Sequence, residues 1–260
     1  MANKTYPNHV LANNFENQYA TKLDLMQFCT VDDSLVGVAG DTVKINTYTA
    51  TDGTEVLAMG EGNTKDIEVS YETKDYTIEL LQNRFSYFDE EEMRDPKIVE
   101  KGQEHGVVDM FNTAQNKAMA EFSKANLSAE VEKFDFDAFV DGAALFADEL
   151  GELSIFALVH KDDVKEIRKN LKDSLQYVEA YVRKGYIGTV NGINIYQHNL
   201  AISGSPILAT KKAVTYFRKK GTEVEQDRNP DIRKNQVWHR QIGVFAFTDA
   251  TQAVKLKKKA

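Results

Sequence analysis

The feature that most constrains this chain is a segment rich in strand patterns that has too few apolar residues to form its own core. Apolar and polar residues alternate in DTVKINTYT at 41–49 and again in TKDIEVSYE at 64–72. Gly53, Gly60 and Gly62 lie between these runs, and such glycines are typical of a hairpin tip. A long two-stranded ribbon is marginally stable alone in water. We therefore predict an extended hairpin that must lie on another surface.

A long helix is predicted after the hairpin, over about residues 95–126. Pro96 suits the first turn of a helix, because a backbone N–H at that position has no carbonyl partner within the helix. Asp95 is a suitable N-cap. Apolar residues then recur at spacings of three and four, at Val107, Phe111, Ala114, Ala118 and Phe122. Gly102 and Gly106 weaken the early turns, so we expect a kink or a late start there. A helix of this length is a rod of roughly 40–45 Å.

Residues 134–218 alternate between helix and strand patterns, which indicates an α/β region. A helix is predicted over 134–150 with its large apolar residues inward, at Phe136, Phe139, Ala143, Leu145 and Phe146. The run SIFALVH at 154–160 is continuous and apolar, as in a buried central strand. A short helix follows, with Asp162 as its N-cap.

The last third of the chain carries further strand patterns. Asn191-Gly192 lies between two apolar runs and favours the positive φ angles of a tight hairpin turn. Two short strands are predicted in SPILATKKAVTYF at 205–217. Residues 219–236 are predicted to form a charged loop without apolar anchors, and strand character returns at 237–256.

The two ends of the chain have the weakest patterns. Residues 1–40 mix short apolar clusters with Asn, Asp and Thr. We expect an arm that needs neighbours to order it, with a weak helix around 15–28. At the other end the lysines have two interpretations, a frayed solvated terminus or point charges that touch DNA; they are Lys255, Lys257, Lys258 and Lys259.

Composition limits the partners and the compartment. The net charge is -8, from 32 basic and 40 acidic residues, which argues against a surface that grips nucleic acid throughout. Cys29 is the only cysteine, so no intramolecular disulfide can form, and its apolar neighbours predict a buried side chain. No apolar run is long enough to span a membrane and the start has no targeting pattern. We therefore expect synthesis in a cytoplasm and no membrane partner.

No catalytic, metal-binding or cofactor-binding constellation is predicted. The five histidines lack a second ligand at a metal-site spacing. Gly60-Glu61-Gly62-Asn63 lacks the lysine and hydroxyl of a phosphate-binding loop, so a flexible hairpin tip is the better interpretation. The four acids at 89–92 are interpreted as a solvated turn rather than a divalent-cation site. The chain is therefore not expected to be an enzyme.

The order of these elements resembles the major capsid proteins of tailed bacteriophages, which have the Hong Kong 97-like fold. In that α+β fold an N-terminal arm precedes an extended hairpin, the E-loop, then a peripheral domain with a long spine helix, then an α/β axial domain. GTVNGINIYQHN at 188–199 is similar to a hairpin common in the family, and WHRQIGVFAFTDATQAVKL at 238–256 is similar to its last strands. The resemblance covers nearly the whole chain.

The resemblance implies a division of the chain into domains. The predicted parts are the N-terminal arm at 1–40, the E-loop at 41–75, the axial domain at 134–235, and a peripheral domain made of 76–133 and 236–260.

The function implied is structural. The chain would self-assemble, in the host bacterial cytoplasm, into the icosahedral head shell that encloses the double-stranded DNA genome, and would end in the virion. Its subunits would form pentamers and hexamers, with a portal and an optional decoration protein as further partners. The chain is too short for a scaffolding extension, so a separate scaffolding protein is implied. DNA would be packaged without sequence specificity, and no cofactor is implied.

The E-loop tip is the predicted site of intersubunit contact, and its glycines would let it bend to fit pentamers and hexamers alike. The predicted contact residues are Asp52, Gly53, Thr54, Gly60, Glu61, Gly62, Asn63 and Lys65. Some relatives join an E-loop lysine to an asparagine of a neighbour, assisted by a buried glutamate. Lys65 is the nearest E-loop lysine, and we expect no such crosslink in this protein.

Two alternatives remain open at this point. An encapsulin-like bacterial compartment shell shares the fold and would need a cargo-binding pocket. An unidentified α/β enzyme would use 134–218 as its core and would need polar side chains converging at strand ends. The sequence shows no mark of either feature.

Overall fold

The computed structural model describes residues 24–95, 97–146, 154–170 and 186–259, with the backbone alone at Thr49 and Tyr186. Its strands are β1 (Thr30–Asp32), β2 (Thr42–Ala50), β3 (Val69–Thr77), β4 (Glu79–Phe88), β5 (Leu127–Val131), β6 (Phe156–Val159), β7 (Tyr186–Val190), β8 (Ile193–Gln197), β9 (Ile207–Ala209), β10 (Val214–Asn229), β11 (Lys234–Phe247) and β12 (Ala253–Lys258). Its α-helices are α1 (Asp89–Arg94), α2 (Ile98–Phe122), α3 (Phe136–Ala144) and α4 (Lys161–Asn170). The chain divides into two compact units, Ala39–Ile78 and the rest.

A four-stranded sheet in the order β1-β10-β11-β4 forms one half of the larger unit. Long β10 and β11 pair antiparallel and are joined by a turn at 230–233. The prediction of a charged loop at 219–236 is therefore wrong. The second of the two short strands predicted within 205–217 is also wrong, because it is the start of β10, which has 16 residues. Val224 is buried there with Tyr87 and Val237. One buried apolar residue among many charged residues does not produce the alternation of apolar and polar residues from which a strand is predicted.

A six-stranded sheet in the order β5-β12-β9-β6-β8-β7 forms the other half. All four residues of β6 are buried, which confirms the predicted central strand. Asn191 and Gly192 have φ angles of 48° and 77°, which confirms the tight hairpin turn. The lysine-rich end is not frayed, because β12 pairs with β5 and β9 and buries Leu256 completely.

The predicted division of this unit into peripheral and axial domains stays a prediction. The sheets favour a different grouping of three strands. β10 lies in the four-stranded sheet with β4 and β11, although it falls within the predicted axial domain. β5 and β12 lie in the six-stranded sheet, although both fall within the predicted peripheral domain.

The long helix is α2, which is shorter than predicted at both ends. It begins at Ile98, directly after Lys97. The carboxylate of Asp95 accepts a hydrogen bond from the Lys97 amide, so Asp95 lies before the helix and is not its N-cap. Its 25 residues make a rod of about 37 Å. All five residues predicted to face inward are buried.

The two early glycines of α2 allow the helix to approach the sheet. A Cβ at Gly102 would lie 2.4 Å from the Phe85 ring, and one at Gly106 would lie 2.8 Å from the ring of His239. The helix continues through both positions. What the sequence showed as weak helix propensity is therefore a close contact between helix and sheet.

Three expectations for the α/β region are wrong. Phe136 and Leu145 are 42% and 41% exposed, because they lie at the ends of a helix that spans only Phe136–Ala144. Phe139 and Phe146 are buried as predicted. Asp162 is not an N-cap, because α4 already begins at Lys161 and Asp162 lies within its first turn.

A short part of the predicted arm, residues 25–29, belongs to the core. A short 3₁₀ helix at Leu25–Phe28 buries Leu25 and Phe28, and Cys29 is buried beside them. Gln115 of α2 accepts a hydrogen bond from the Leu25 amide at 2.8 Å and donates one to Asp24 at 2.5 Å. Burial and the nearby Asp24 charge raise the pKa of the Cys29 thiol to about 12, as expected for an inert side chain. The rest of the predicted weak helix, before Asp24, lies outside the described residues.

The four acids at 89–92 are not a free solvated turn. They form most of α1, where Asp89 pairs with Arg228 and Asn235, and Glu90 pairs with Arg233. The Arg228 guanidinium holds the pKa of Asp89 below its usual value. These pairs join α1 to the β10–β11 hairpin. No helix in the described parts of the chain is both long and apolar enough to cross a membrane.

Candidate intersubunit site

The hairpin unit is a bare two-stranded ribbon. β2 and β3 pair antiparallel from Thr42↔Thr77 to Ala50↔Val69. Gly53 is the only buried residue among those of Ala39–Ile78 whose side chains are described. A ribbon without buried apolar side chains cannot stabilise itself by the hydrophobic effect. The composition argument for an uncored hairpin therefore agrees with the geometry.

Cross-strand pairs hold the ribbon together. Thr73 donates a hydrogen bond to Asn46 at 2.7 Å, and the rings of Tyr48 and Tyr71 lie 6.1 Å apart. Each such pair contributes less than about 1 kcal/mol. Tyr48 and Tyr71 are 66% and 70% exposed, so their aromatic surface is available to a partner.

The tip, residues 51–68, contains all eight predicted contact residues. Gly53 lies beside Ile67 of the returning chain, and a Cβ there would be 2.7 Å from Ile67 Cγ1. Gly60 has a φ of 94°, which favours glycine, and a turn places the Glu61 amide 3.1 Å from the Ala58 carbonyl. The other six are exposed; they are Asp52, Thr54, Glu61, Gly62, Asn63 and Lys65.

A small polar clamp crosses the tip. The Thr64 amide and hydroxyl donate to the Glu55 carboxylate at 2.7 and 2.6 Å. These two hydrogen bonds lower the pKa of Glu55 below its ordinary value, so the carboxylate stays charged at neutral pH. Near the base of the tip, Thr51 and Glu68 pair through their backbones at 3.0 Å. These hydrogen bonds join the two sides of the tip, which has no buried apolar core.

Sequence reasoning missed the apolar part of the tip. Val56 and Met59 are fully exposed at 102% and 105%, and Leu57 and Ile67 are 41% and 63% exposed. No role was predicted for these residues, although four large apolar side chains in a stretch without a core are a signal for a contact surface. The same tip has five acids and one lysine. It therefore offers both apolar and acidic groups to a partner.

The described residues hold no group of three or more His, Cys, Asp and Glu side chains that could bind a metal. His239 is fully buried, with Nδ1 2.7 Å from Asn83 Oδ1 and Nε2 2.5 Å from Gln103 Oε1.

The surroundings of His239 suit a neutral ring. Asn83 donates its amide to the Gly106 carbonyl, so its oxygen faces His239 Nδ1, which carries the proton. Gln103 Nε2 is buried without a partner, and rotation of that side-chain amide by 180° lets Nε2 donate to His239 Nε2. Burial lowers the pKa of His239 to about 4. The histidine is therefore a structural link between α2 and the sheet.

Comparison with known proteins identifies relatives over nearly the full length. The chain is 24% identical over 255 residues to the major capsid protein of Staphylococcus phage phiMR11, covering 96% of this chain and 92% of the relative. No protein-family model matches the chain.

Solved structures with the same fold come from phage capsids and from a virus-like particle. The capsid structure of cyanophage P-SCSP1u matches with a TM-score of 0.67 at 10% identity, covering 92% of this chain and 89% of that one. A virus-like particle from Pyrococcus furiosus matches with a TM-score of 0.65 at 10% identity, covering 96% and 98%. Identities this low establish the fold alone.

Together these findings establish the fold of the chain. The bare hairpin, the long helix and the mixed sheets occur in one chain in the predicted order. The chain has the Hong Kong 97-like α+β fold of phage capsid proteins, and its predicted resemblance to tailed-phage major capsid proteins is confirmed.

Proposed function

We propose that this protein is a structural major capsid protein, which assembles into the icosahedral head shell of a tailed phage around its double-stranded DNA. The observation that carries the proposal is the hairpin unit, whose 40 residues bury only one glycine among the described side chains. A segment of that length with exposed Tyr48, Tyr71 and Met59 gains stability only by covering another surface. The full-length likeness to a phage major capsid protein supports it.

The alternatives have less support. An encapsulin-like compartment shell would share this fold, but the sequence likeness that extends over 255 residues is to a phage protein. A role as a shell subunit implies that the chain is not an enzyme. The same proposal implies rings of five and six subunits. Each subunit makes the same contact with the next, and the ring closes when the rotation between neighbours divides a full turn.

The proposed partners beyond other copies are a separate scaffolding protein, a portal and an optional decoration protein. The packaged DNA would be held without sequence specificity, since the net charge of -8 does not suit a wall that binds phosphate tightly. We propose the virion as the final location and the host bacterial cytoplasm as the place of assembly. Tight binding of duplex DNA by empty shells at physiological salt would contradict the proposed lumen.

The tip of the hairpin, with its eight predicted contact residues, is proposed to touch a neighbouring subunit. Replacing residues 52–62 with Asn-Gly removes Val56 and Met59 and breaks the Glu55–Thr64 clamp. The free energy of unfolding of the subunit should change by less than about 1 kcal/mol, because no buried side chain is lost and shortening a loop costs little. Particles should disappear or become irregular when viewed by electron microscopy.

A matched pair of point variants isolates the apolar contribution. Met59 and Met93 are both strongly exposed, at 105% and 82%, but only Met59 lies in the tip. Met59→Ser should reduce the yield of closed particles, whereas Met93→Ser should leave it unchanged. Normal shells from both Met59→Ser and the shortened hairpin would show that the tip does not join subunits.

A further inference from the structure

The carboxyl ends of two neighbouring parallel strands are each followed by a histidine. β6 and β8 pair in parallel, with Val159 opposite Gln197. The next residues are His160 and His198, and the His198 amide extends the ladder by donating to the Val159 carbonyl at 2.9 Å. Both histidine side chains are partly buried. The six-stranded sheet therefore places two titratable rings at equivalent positions of adjacent strands.

Each ring accepts a hydrogen bond from the backbone amide two residues further along the chain. The Leu200 amide donates to His198 Nδ1 at 3.2 Å, and the Asp162 amide donates to His160 Nδ1 at 3.3 Å. A ring nitrogen accepts only when it carries no proton, so Nε2 holds the proton of each neutral ring. Asn and Asp side chains close turns on their own backbone in the same way. Both histidines are therefore turn-closing acceptors, a role that protonation of Nδ1 abolishes.

The two histidines differ in what a protonated ring would meet. Asp162 Oδ2 lies 3.2 Å from His160 Nδ1, so a proton on that nitrogen has a carboxylate to bond. Within the described ranges no acid pairs with His198, and a proton on its Nδ1 would face the Leu200 N–H, donor against donor. Burial lowers the pKa of His198 below its ordinary value of 6.5. The folded chain therefore favours the neutral ring at His198.

Two charged groups beside the His198 turn, residues 198–201, are engaged with other partners. Asp163 accepts from the Ser203 hydroxyl at 3.3 Å and from the Gly204 amide at 2.8 Å. The Lys258 ammonium of β12 pairs with the Glu166 carboxylate at 2.8 Å. The described charged or titratable residues on the elements that border the turn are His160, Lys161, Asp162, Asp163, Tyr196 and Lys258. No side chain in this set is hydrogen-bonded to the His198 ring.

Exposed apolar side chains lie on and next to the His198 turn. The Ala201 amide donates to the His198 carbonyl at 3.2 Å, and Ala201 is buried. Leu200 and Ile202, on either side of it, are 38% and 50% exposed. The residues that follow are held separately by Asp163. The His198 ring therefore controls only the part of the loop that contains Leu200.

We propose that His198 is a pH-sensitive switch, which fixes the His198 turn when its ring is neutral and releases the turn when its ring is protonated. A proton from solvent adds to Nδ1, the Leu200 amide loses its acceptor, and the charged ring moves toward water. Acidification thereby changes the arrangement of the exposed apolar pair Leu200 and Ile202. The switch does not depend on the proposed shell function.

The direction of the pH dependence follows from the two states of the turn. The His198 ring has its ordinary pKa of 6.5 when the turn is open and a lower pKa when the turn is closed. Closure is therefore fully stabilised above pH 6.5 and weakens as the pH falls below it. Each pH unit below that value raises the opening constant at most about tenfold, so a change from about pH 7.5 to about pH 5 raises it at most about thirtyfold.

Hydrogen exchange of the peptide 198–205, measured by mass spectrometry on the full chain at these two pH values and corrected for the intrinsic rate, reports the opening. In the natural sequence the Leu200 amide should lose protection severalfold at the lower pH. His198→Asn keeps an uncharged acceptor for that amide and should stay protected at both pH values. His160→Asn is the matched control. It keeps an acceptor for the Asp162 amide and should lose protection as the natural sequence does.

Each result decides the proposal. Loss of protection in the natural sequence but not in His198→Asn supports the switch. No loss in the natural sequence, or an equal loss in His198→Asn, rejects it, because the turn would then be independent of this ring. NMR of the ring nitrogens in the natural chain gives a second test that needs no variant. The His198 ring should be the Nε2–H tautomer at neutral pH with a pKa below 6.5, and an Nδ1–H tautomer would overturn the proposal.

Discussion

Two phenylalanines on α3 allow a quantitative test of the core. Phe139 is fully buried in the cluster between α3 and the six-stranded sheet, whereas Phe136 is 42% exposed on the same helix. Phe139→Ala removes a ring from a packed core, which typically costs about 3–5 kcal/mol. Phe136→Ala removes a ring already in contact with water, so its cost should stay below about 1 kcal/mol.

The assay is urea unfolding of the free subunit, followed by circular dichroism, with a thermal scan as a second readout. For a chain of this size each kcal/mol shifts the midpoint by roughly 2–4 °C, so Phe139→Ala should lower it by roughly 6–20 °C. Phe136→Ala should move it by a few degrees at most. Equal losses from the two variants, or a larger loss from Phe136→Ala, would mean that the described packing of α3 is wrong.

Three further predictions use single groups. The Cys29 thiol, with its pKa raised to about 12 by burial, should react with a thiol reagent only at the rate of unfolding; fast labelling of the native subunit would contradict its burial. The pKa of His239 falls from 6.5 unfolded to about 4 folded. Its contribution to stability is therefore complete above pH 6.5 and is lost as the pH falls through 4, so urea midpoints should drop across that window, and less so in His239→Gln. Mature particles boiled in detergent should give one band near 29.3 kDa, because we expect no covalent crosslink from Lys65 to a neighbouring subunit; a ladder of larger bands would refute this.

The sequence predicted those elements whose signal is local. The Asn191-Gly192 turn needs positive φ at two adjacent residues, and few other pairs adopt it. The apolar run of β6 and the periodic apolar face of α2 are also read directly from neighbouring residues. The hairpin was predicted from what it lacks, since a ribbon with so few apolar residues cannot bury a core.

The failures concern elements that depend on distant partners. The residues at 219–236 form strands because β11 and β4 supply backbone partners and because Val224 meets Tyr87 across the sheet. The lysine-rich end is ordered because β5 and β9 flank β12. Gly102 and Gly106 were read as weak points because the rings of Phe85 and His239 are far away in the sequence. The candidate site was found as a segment, but its apolar side chains were missed.

We propose that copies of this chain close into a shell through their hairpins. A cryo-electron microscopy reconstruction of particles formed by the natural sequence would show the contact itself. We expect closed shells built from rings of five and six subunits, in which density for the hairpin tip, residues 51–68, crosses to the adjacent subunit. Particles in which the hairpin stays on its own subunit, or a protein that remains a monodisperse monomer under assembly conditions, would contradict it.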